Sequence, residues 1–500
     1  MSTEITRRRF LEAVAAGGAW ITLTGILGCQ RSPRARAIAS PARGEQPWAF
    51  RSRPEFRPPV IEVRMQARGT APGYVFVSPK KEPGASGPSQ DAPLIIDDGG
   101  EPVWFHPLQG DDEKDASNFK VQSYKGETVL TWWEGHHTGF GQGEYVIFDH
   151  SYREIARFGA GNGYEGDHHE FLITPENTAL ITIYTEVPID LSSVGGPTYG
   201  TVLDGIAQEV DIESGKVLFE WHSLAHVALQ ESYWKPKEDQ EEPYDYFHIN
   251  SIDIHDDGHL LISARRTSTV YKVDRKSGEV LWRLGGKWSD FKMGYGTRTD
   301  YQHDARYHPG GILTIFDNGR VKKNEQSRGI VVKIDEDARI ARLVDAYTHP
   351  DKIFSDTQGN VQVLPNGNVF VGWGSEPYFS EFSRDGKLIF DASFTPELES
   401  YRAFRFSWKG HPEEAPAVVT EVGPEGEVTL YVSWNGATEV ASWEVLVGGG
   451  PDELDPVGLA PRKGFETALK LQTDQPYVAV RAKDESGRVL GVSEALKTGD

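Results

Sequence analysis

A hairpin pattern that occurs six times along this 500-residue chain constrains its fold more than any other feature. In each instance an alternating apolar strand passes through an acidic or polar turn into a second strand rich in valine, tryptophan and phenylalanine. The instances recur at intervals of roughly 50 to 60 residues, which is the period of a β-propeller blade with its loops. They are LIIDDGGEPVWF from Leu94, YVIFDHSYREIARF from Tyr145, EVDIESGKVLFEW from Glu209, VYKVDRKSGEVLWRLGG from Val270, VVKIDEDARIARLV from Val331 and EFSRDGKLIFDASF from Glu381.

Further strand-like segments lie between these hairpins and supply the other strands of each blade. Most contain or adjoin turn residues flanked by alternating apolar positions, as hairpins do. We therefore predict an all-β fold, a six-bladed β-propeller followed by a small β-sandwich; a series of β-sandwiches or irregular repeats is the alternative. The segments are TVLTWWEG from Thr128, FLITPENTALITIY from Phe171, HLLISARR from His259, GILTIFDN from Gly311 and VQVLPNGNVFVGW from Val361.

The chain changes character after a stretch rich in proline and glutamate near residue 412. Beyond it, short alternating strands and the ending YVAVRAKDESGRVLG predict a small sandwich of the fibronectin type III kind at 416–500. We assign 53–412 to the propeller. A strand module at 53–81 is expected to pack on the edge of the propeller.

The first 29 residues have the pattern of an export signal and not of a folded element. TRRRFL from Thr6 matches the twin-arginine pattern, and the apolar stretch behind it is shorter than the roughly 20 residues of a membrane-spanning helix. ILGC, ending at Cys29, looks like a lipobox. Residues 30–52, rich in Arg, Ser, Pro and Ala, predict a flexible tether. We expect a lipoprotein, anchored to the membrane through Cys29, that is periplasmic or on the cell surface.

The net charge of −22 argues against nucleic acid as a partner, because nucleic-acid binding needs a basic face. It also surrounds an anionic substrate with a repulsive average field, so that any anion site must be built by local arginines. Cys29 is the only cysteine, which excludes a disulfide framework within the chain and a cluster of thiolate metal ligands.

Three histidines occupy equivalent positions in successive repeats, each at the start of a blade. They are His169 in DHHEF, His248 in FHINSIDIH and His303 in QHDARYH. Residues at the start of each innermost strand of a propeller point to the central channel, so we expect the three imidazoles to converge there. A lone histidine beside a strand is more often structural, but the coincidence of three histidines across successive blades favours a functional role.

Arginines and asparagines follow the same segments. Arg320 follows FDNG, and Arg328 begins the strand RGIVVKID. A guanidinium near a histidine cluster can hold sulfate, phosphate or carboxylate in a forked geometry. Arg265 and Arg266 close HLLIS, and strand alternation predicts that one faces away from the other. Asn250 and Asn318 are candidates for polar support, and Trp132, Trp133, Tyr301 and Trp373 could cradle an aryl ring, although most are expected to be blade packing.

Taken together, these motifs resemble the arylsulfotransferase family over about residues 50 to 412. The resemblance is carried by FRSRPEFRPPVIEV, DGGEPVWF, DHHEF, the long segment FHINSIDIHDDGHLLISARRTSTVYKVDRKSGEVLWRLGG, QHDARYHPGG, FDNGR, QGNVQVLPNGNVFVGWG and SYRAFRFSWKG, in that order. It implies a six-bladed propeller that moves a sulfuryl group from an aryl sulfate to a phenol through a sulfated histidine. It implies no nucleotide donor, and we expect no cofactor and no metal.

Matched motif by motif, His248 corresponds to the histidine of H-x-N-S, and His303 to that of the Q-H segment. Arg320 corresponds to the arginine after F-D-N-G, with Arg328 as second choice. These assign His248, His303 and Arg320 as catalytic residues, and His169, Arg328, Asn250 and Asn318 as substrate-binding residues. The stretch 355–364, SDTQGNVQVL, contains no histidine where the best-known bacterial branch of the family places its sulfuryl carrier. Either another histidine takes that role, or the chemistry differs, or the protein does not catalyse.

Two other functions fit the same residues. The propeller could be a non-catalytic exported module that binds a small ligand or glycan, which the missing histidine favours. It could instead be a metal- or quinone-dependent enzyme, since three histidines can bind zinc or copper. No close-set H-x-H or H-E-x-x-H pair supports the metal hypothesis.

Overall fold

A computed structural model of the chain describes residues 46–82, 84–109, 114–137, 140–237, 242–320, 326–395, 397–423 and 426–498. The predicted twin-arginine segment and Cys29 lie outside the described residues. The first strands are β1 (Ile61–Met65), β2 (Tyr74–Val77), β3 (Lys80–Lys81), β4 (Leu94–Ile96) and β5 (Pro102–Phe105).

Four groups of strands consecutive in sequence then form four-stranded antiparallel sheets, the fourth extended by β18 in parallel. They are β6 (Asp115–Tyr124), β7 (Glu127–His137), β8 (Gly141–Phe148), β9 (Glu154–Phe158); β10 (Asp167–Ile173), β11 (Thr178–Ile189), β12 (Gly200–Asp211), β13 (Val217–His222); β14 (Ile249–Ile254), β15 (Leu260–Ala264), β16 (Thr269–Val273), β17 (Val280–Gly285); and β18 (Lys292–Met293), β19 (His303–His308), β20 (Ile312–Asp317), β21 (Arg328–Asp335), β22 (Ile340–Tyr347).

The last two blades contain strands from both ends of the propeller sequence. Strands β23 (Asn360–Val363), β24 (Val369–Gly372), β25 (Tyr378–Phe382) and β26 (Leu388–Phe394) accept β1 at their outer edge, where Ile61 faces Phe394. After β27 (Leu398–Glu399), β28 (Ala403–Phe406) pairs with β2 and becomes the inner strand of the sheet β28-β2-β4-β5. This pairing of early and late strands joins the first blade to the last part of the propeller chain.

The inner strands of the six sheets form a closed ring. Each approaches the next in the cyclic order β28, β6, β10, β14, β19, β23 and back to β28. Each predicted hairpin forms the third and fourth strands of one blade, counted from the inner strand. The fold is therefore an all-β six-bladed propeller, as predicted.

A small β-sandwich follows the propeller, also as predicted. Its sheets are β29-β30-β33 and β32-β31-β34-β35, with β36 pairing to β34. The strands are β29 (Ala417–Val422), β30 (Glu427–Ser433), β31 (Ser442–Gly450), β32 (Glu453–Pro461), β33 (Glu466–Gln472), β34 (Tyr477–Lys483), β35 (Val489–Val492) and β36 (Leu496–Lys497). The kinship with fibronectin type III domains stays a prediction.

The sandwich packs against the propeller through aromatic side chains. Phe465 lies with its ring centroid 4.4 Å from that of Phe50, and both are buried in one core with Phe56. Trp48 and Phe50 fall within the predicted tether 30–52, yet Trp48 packs against this core. The packed chain thus begins at or before Trp48, because these rings bury apolar area that a flexible tether would leave in water.

The described helices are three short turns: Ser192–Val194, Ser223–His226 and Leu229–Glu231. Within the described residues, no helix has the length and apolar character needed to cross a bilayer.

Candidate active site

The three predicted histidines meet at one end of the ring of inner strands. His169 lies in β10, His248 directly precedes β14, and His303 begins β19. The ring centroids of His169 and His248 are 5.0 Å apart, and those of His248 and His303 are 6.5 Å apart. His168 adds a fourth imidazole, 4.0 Å from the ring of His169. We refer to His168, His169, His248 and His303 as the imidazole cluster.

Tyr401, which directly precedes Arg402 and β28, completes the cluster. Its ring centroid lies 5.3 Å from that of His168, 5.5 Å from that of His169 and 6.5 Å from that of His303. Its hydroxyl donates to the backbone oxygen of Asn250 at 3.2 Å. Sequence reasoning missed this tyrosine; the signal available was its place in SYRAFRF, at the start of an inner strand.

Left-handed backbone conformations and irregular strand pairing occur at and beside these histidines. His248 has φ of 56°, and Tyr301 and Asp304, on either side of His303, have φ of 58° and 51°. Left-handed conformations of non-glycine residues cost roughly 1–3 kcal/mol each and concentrate at functional sites. β10 and β19 also contain register shifts at Asp167/Phe171 and His303/Arg306. Such irregularities redirect side chains and are common next to active sites.

His248 belongs to an aspartate–histidine pair. Its Nδ1–H donates to Oδ2 of Asp245 at 2.6 Å, which leaves the lone pair on Nε2. Its side chain is 16% exposed, whereas those of His168 and His169 are each 4% exposed. Burial lowers the pKa of His248 to about 4, against the opposing effect of Asp245. The imidazole is therefore neutral at neutral pH, with its basic nitrogen at Nε2 and a partly exposed side chain.

His169 forms a second pair of the same kind with Asp167. Its Nδ1–H donates to Oδ2 of Asp167 at 2.5 Å. That carboxylate also accepts from the backbone N–H of Gly141 at 2.6 Å and from the hydroxyl of Thr182 at 3.1 Å. Burial alone would raise the pKa of Asp167, but His169 and His168 hold it well below its usual range. Asp167 is therefore an ionised group that orients the ring of His169.

His303 is held at both ring nitrogens. Its Nδ1–H donates to Oδ1 of Asn318 at 2.8 Å, and its Nε2 accepts from the backbone N–H of Gln358 at 3.2 Å. Burial, followed by the charge of Arg265, holds the pKa of His303 well below its usual range. Its lone pair is thus already used within the protein.

The two predicted asparagines have supporting positions. Asn318 orients His303, and its amide donates to the backbone oxygens of Ser355 and Gln358, both at 3.0 Å. Asn250 donates to the backbone oxygen of Gln302 at 2.7 Å. These contacts join β14, the start of β19 and the loop before β23.

The two predicted arginines differ in their surroundings. Arg320 pairs with Asp300 at 2.6 Å, and its guanidinium lies 5.0 Å from the ring centroid of Tyr233 and 5.5 Å from that of Tyr301. Arg328 donates from Nε to Asp317 at 2.9 Å and from a terminal nitrogen to the backbone oxygen of Arg298. The contacts described for Arg328 are with these groups and not with an imidazole.

Arg265 and Arg266 approach the cluster more closely than sequence reasoning indicated. They lie in the turn after β15, so strand alternation does not govern them. Arg266 donates to Oδ2 of Asp245 at 3.2 Å and lies 4.1 Å from the ring centroid of Trp234. Arg265 donates to the backbone oxygen of Asp356 at 2.9 Å, and its guanidinium lies 5.2 Å from the ring centroid of Tyr301.

A buried ionic network lies further along the inner strands. Glu170 binds Lys120 at 3.0 Å, Arg402 at 3.3 Å and Arg306. Asp304 binds Arg306 at 2.7 Å and Arg402 at 3.2 Å. We call these five residues the ionic plug. The ionic plug adjoins the imidazole cluster, since Glu170, Asp304 and Arg402 directly follow His169, His303 and Tyr401 in the sequence.

Asp167, His168 and His169 could also hold a metal, since their ligand atoms lie within 4.8 Å of one another. Asp167 already accepts hydrogen bonds from Gly141, Thr182 and His169, whereas Nδ1 of His168 is buried without a hydrogen-bond partner among the described residues. Trp132, Trp133 and Trp373 are fully buried packing residues, as was expected of most of the aromatic residues considered for an aryl cradle. Tyr301 lies beside Arg265 and Arg320 instead.

Residues 120–395, more than half of the chain, match the family described as arylsulfotransferase (ASST). No curated protein sequence matches significantly. Similar solved structures include a protein of unknown function from Bacteroides caccae, 14% identical, covering 67% of this chain and 98% of that one, with a TM-score of 0.40.

Two further solved structures are similar at low identity. A catalytically inactive virginiamycin B lyase from Staphylococcus aureus is 8% identical, with 75% of this chain and 97% of that chain covered and a TM-score of 0.35. The Cps50 (Swd1) β-propeller domain of Myceliophteria thermophila is 13% identical, with coverages of 64% and 97% and a TM-score of 0.31.

Proposed function

The chain belongs to the arylsulfotransferase family, and we propose that it transfers a sulfuryl group from an aryl sulfate to a phenolic acceptor, with His248 as the sulfuryl carrier. Family membership supports a sulfotransferase-like function in general. The identity of the reaction and of the carrier is our proposal, since 355–364 contains no histidine.

The observation that carries the proposal is the state of His248. A nucleophilic imidazole must be neutral, must have a lone pair that no other group uses, and must be reachable. The bond from Nδ1 to Asp245 puts the lone pair on Nε2, and the lowered pKa keeps the ring neutral. Its side chain is also more exposed than those of His168 and His169.

The other imidazoles suit supporting roles. Nε2 of His303 already accepts from the backbone of Gln358, so it is a poor nucleophile. His169 is oriented by Asp167, and its ring centroid lies 5.0 Å from that of His248. It is therefore the candidate general base for the acceptor phenol.

The proposed reaction has two displacements. Nε2 of His248 bonds to sulfur while the S–O bond to the aryl group breaks, and the electron pair leaves with the oxygen as phenolate. Asp245 stabilises the positive charge of the sulfated imidazole. The acceptor phenol then attacks sulfur, its proton passes to Nε2 of His169, and the N–S bond breaks to restore neutral His248. His169 then releases this proton to water, and the phenolate product takes up a proton from water. Arg320, and Arg265 beside the same Tyr301 ring, are candidates to bind the anionic oxygens.

The test is release of p-nitrophenol from its sulfate ester in the presence of phenol. His248→Ala should lower turnover by about a thousandfold or more, as loss of a nucleophile does. His259→Ala is the matched control, since His259 lies at the opposite end of the same blade. Protein quenched with donor alone should carry one SO₃ group on the peptide that contains His248.

The results also separate the alternatives. If no aryl sulfate is turned over with any phenol, the proposed function is wrong. If the SO₃ group lies on a peptide without His248, the reaction stands and the assignment of the carrier fails. Saturable ligand binding that His248→Ala and His303→Ala leave unchanged would instead support a non-catalytic binding module.

Export and anchoring complete the proposal. The twin-arginine pattern and ILGC in the sequence support passage across the membrane and lipidation of Cys29. Replacing Cys29 with serine should release the protein from the membrane fraction. Membrane association that survives this substitution would contradict a lipid anchor.

A further inference from the structure

We propose that Arg265, held beside the ring of Tyr301, is the principal binding group for the anionic oxygens of an aromatic ligand. The ligand class is an aromatic compound with a tetrahedral sulfate or sulfonate group. The inference rests on the proposed function in taking aryl sulfate esters as the substrates. It differs from the sequence-based expectation, which assigned this role to Arg320.

Arg265 is a buried cation whose charge is poorly compensated. It is 5% exposed, and its Nε has no hydrogen-bond partner among the described residues. Its terminal nitrogen donates to the backbone oxygen of Asp356, while the Asp356 carboxylate is 3.6 Å away and 66% exposed. Burying a charge without a strong partner is costly, and an unpartnered buried donor indicates a missing acceptor.

The neighbouring arginines have closer carboxylate partners. Arg320 pairs with Asp300 at 2.6 Å, and Arg266 with Asp245 at 3.2 Å. A bound anion would compete with these carboxylates for Arg320 and Arg266. At Arg265 it would supply the acceptor that the protein leaves out.

Arg265 also lies near two residues of the imidazole cluster, His248 and His303. Its backbone N–H donates to the backbone oxygen of His248 at 2.9 Å. Its side chain binds the backbone oxygen of Asp356, two residues before Gln358, whose backbone N–H donates to Nε2 of His303. An oxyanion bound by Arg265 would therefore lie beside both His248 and His303.

Aromatic rings next to Arg265 specify the rest of the ligand. The guanidinium groups of Arg265 and Arg320 both lie near the ring of Tyr301, 5.2 Å and 5.5 Å from its centroid. The guanidinium of Arg320 also lies 5.0 Å from the ring centroid of Tyr233. Planar guanidinium groups and phenol rings together offer stacking surfaces for an aryl group.

The test uses 1-naphthalenesulfonate, whose S–C bond cannot be cleaved by sulfuryl transfer. Its binding to the full chain is measured by calorimetry. Arg265→Gln should weaken the dissociation constant by about 10- to 100-fold, the usual effect of losing hydrogen bonds to a charged group. Arg275→Gln is the matched control, because Arg275 lies at the opposite end of the same blade and pairs with Glu209. It should change binding less than about twofold.

A second variant tests the proposal in the opposite direction. Asp356→Asn removes the exposed carboxylate that partly offsets Arg265, so binding should become tighter, by up to about fivefold. Because the Asp356 side chain is exposed, this variant gives an answer even if Arg265→Gln fails to fold. Binding that neither substitution changes, or that Arg275→Gln weakens as much as Arg265→Gln, would overturn the proposal.

The experiment also distinguishes this inference from the proposed function. Sulfonate binding with the expected variant effects, in a protein that transfers no sulfuryl group, keeps the anion site and removes the proposed function. Normal transfer, in a protein whose Arg265→Gln and Asp356→Asn variants bind like the wild type, removes the anion site alone. Wild-type protein that binds no sulfonate also overturns the inference.

Discussion

Glu170 in the ionic plug allows a quantitative test of what holds the centre of the propeller together. It is fully buried and accepts from Lys120, Arg306 and Arg402. Burial alone would raise the pKa of Glu170, but the three cations hold it well below its usual range. Glu170→Gln keeps the shape of the side chain and removes the charge.

The structure sets the size of the effect. In the ionic plug, two carboxylates face three cations, and the substitution leaves Asp304 as the single carboxylate of the plug. Breaking a buried ion pair from one side costs about 3–5 kcal/mol. With a guanidinium chloride slope of about 5 kcal/mol per molar, the unfolding midpoint of the propeller should fall by about 0.6 to 1 M.

Lys120 gives this prediction a distinctive pH dependence. Burial already lowers the pKa of Lys120 to about 8, with Glu170 opposing the shift. Without Glu170 the pKa of Lys120 falls further, so the folded variant loses this proton at a lower pH than the folded wild type. The unfolded chain keeps it up to about pH 10.4. Stability rises with pH wherever the unfolded state binds more protons, so the deficit should be largest near pH 6 and smaller near pH 9.

The assay is denaturation followed by tryptophan fluorescence at both pH values. Glu170→Gln combined with Lys120→Met should recover part of the loss, because the uncompensated cation is gone. Glu213→Gln, on the propeller surface, is the control and should stay within about 0.5 kcal/mol of the wild type. A Glu170→Gln variant within about 1 kcal/mol of the wild type at pH 6 would refute the reasoning about buried charge compensation.

Two further predictions concern the proposed carrier and the domain junction. Asp245→Asn should lower kcat by about 10²- to 10⁴-fold, because it loses the partner that fixes the tautomer of His248. Activity should require unprotonated His248 and fall in the wild type as pH drops through about 4. Since Asp245 raises the pKa of His248, this acid limb of the pH–rate profile should move to lower pH in the variant. A profile whose acid limb does not move would contradict the pairing of Asp245 with His248. Phe465→Ala should destabilise the sandwich–propeller contact by about 3–5 kcal/mol, because Phe465 is buried against Phe50. Calorimetry should show an unfolding transition at a lower temperature than in the wild type. An unchanged transition temperature would mean that the contact adds little stability.

The propeller could be predicted from the sequence because its repeating unit is local. Each outer hairpin joins two strands through a short turn, so its alternation and its turn residues stand together in the sequence. The ring closure was harder to predict: β28 pairs with β2 across more than 300 residues, and β1 with β26 across a similar distance. Those pairings depend on the geometry of the ring and leave no periodic signal in either segment.

The positions of the histidines were predictable, but their chemical states were not. Equivalent places in successive repeats indicated that His169, His248 and His303 would converge. The state of His248 depends on Asp245, three residues before it, which sequence reasoning passed over. The state of His303 depends on Gln358, more than 50 residues away, so no local pattern could show that its lone pair is occupied.

The loop before β23 contributes to the site although the stretch 355–364 lacks a histidine. The stretch 355–364 has no imidazole, yet its backbone enters the site: Asp356 accepts from Arg265, and Gln358 donates to His303. The loop thus orients an arginine and an imidazole through main-chain atoms. A backbone contact of this kind is independent of side-chain identity, which is why its role could not be predicted from the sequence. Since the same contact occupies Nε2 of His303, it leaves His248 as the more accessible nucleophile, and this is the reason for placing the sulfuryl group on His248 rather than on His303.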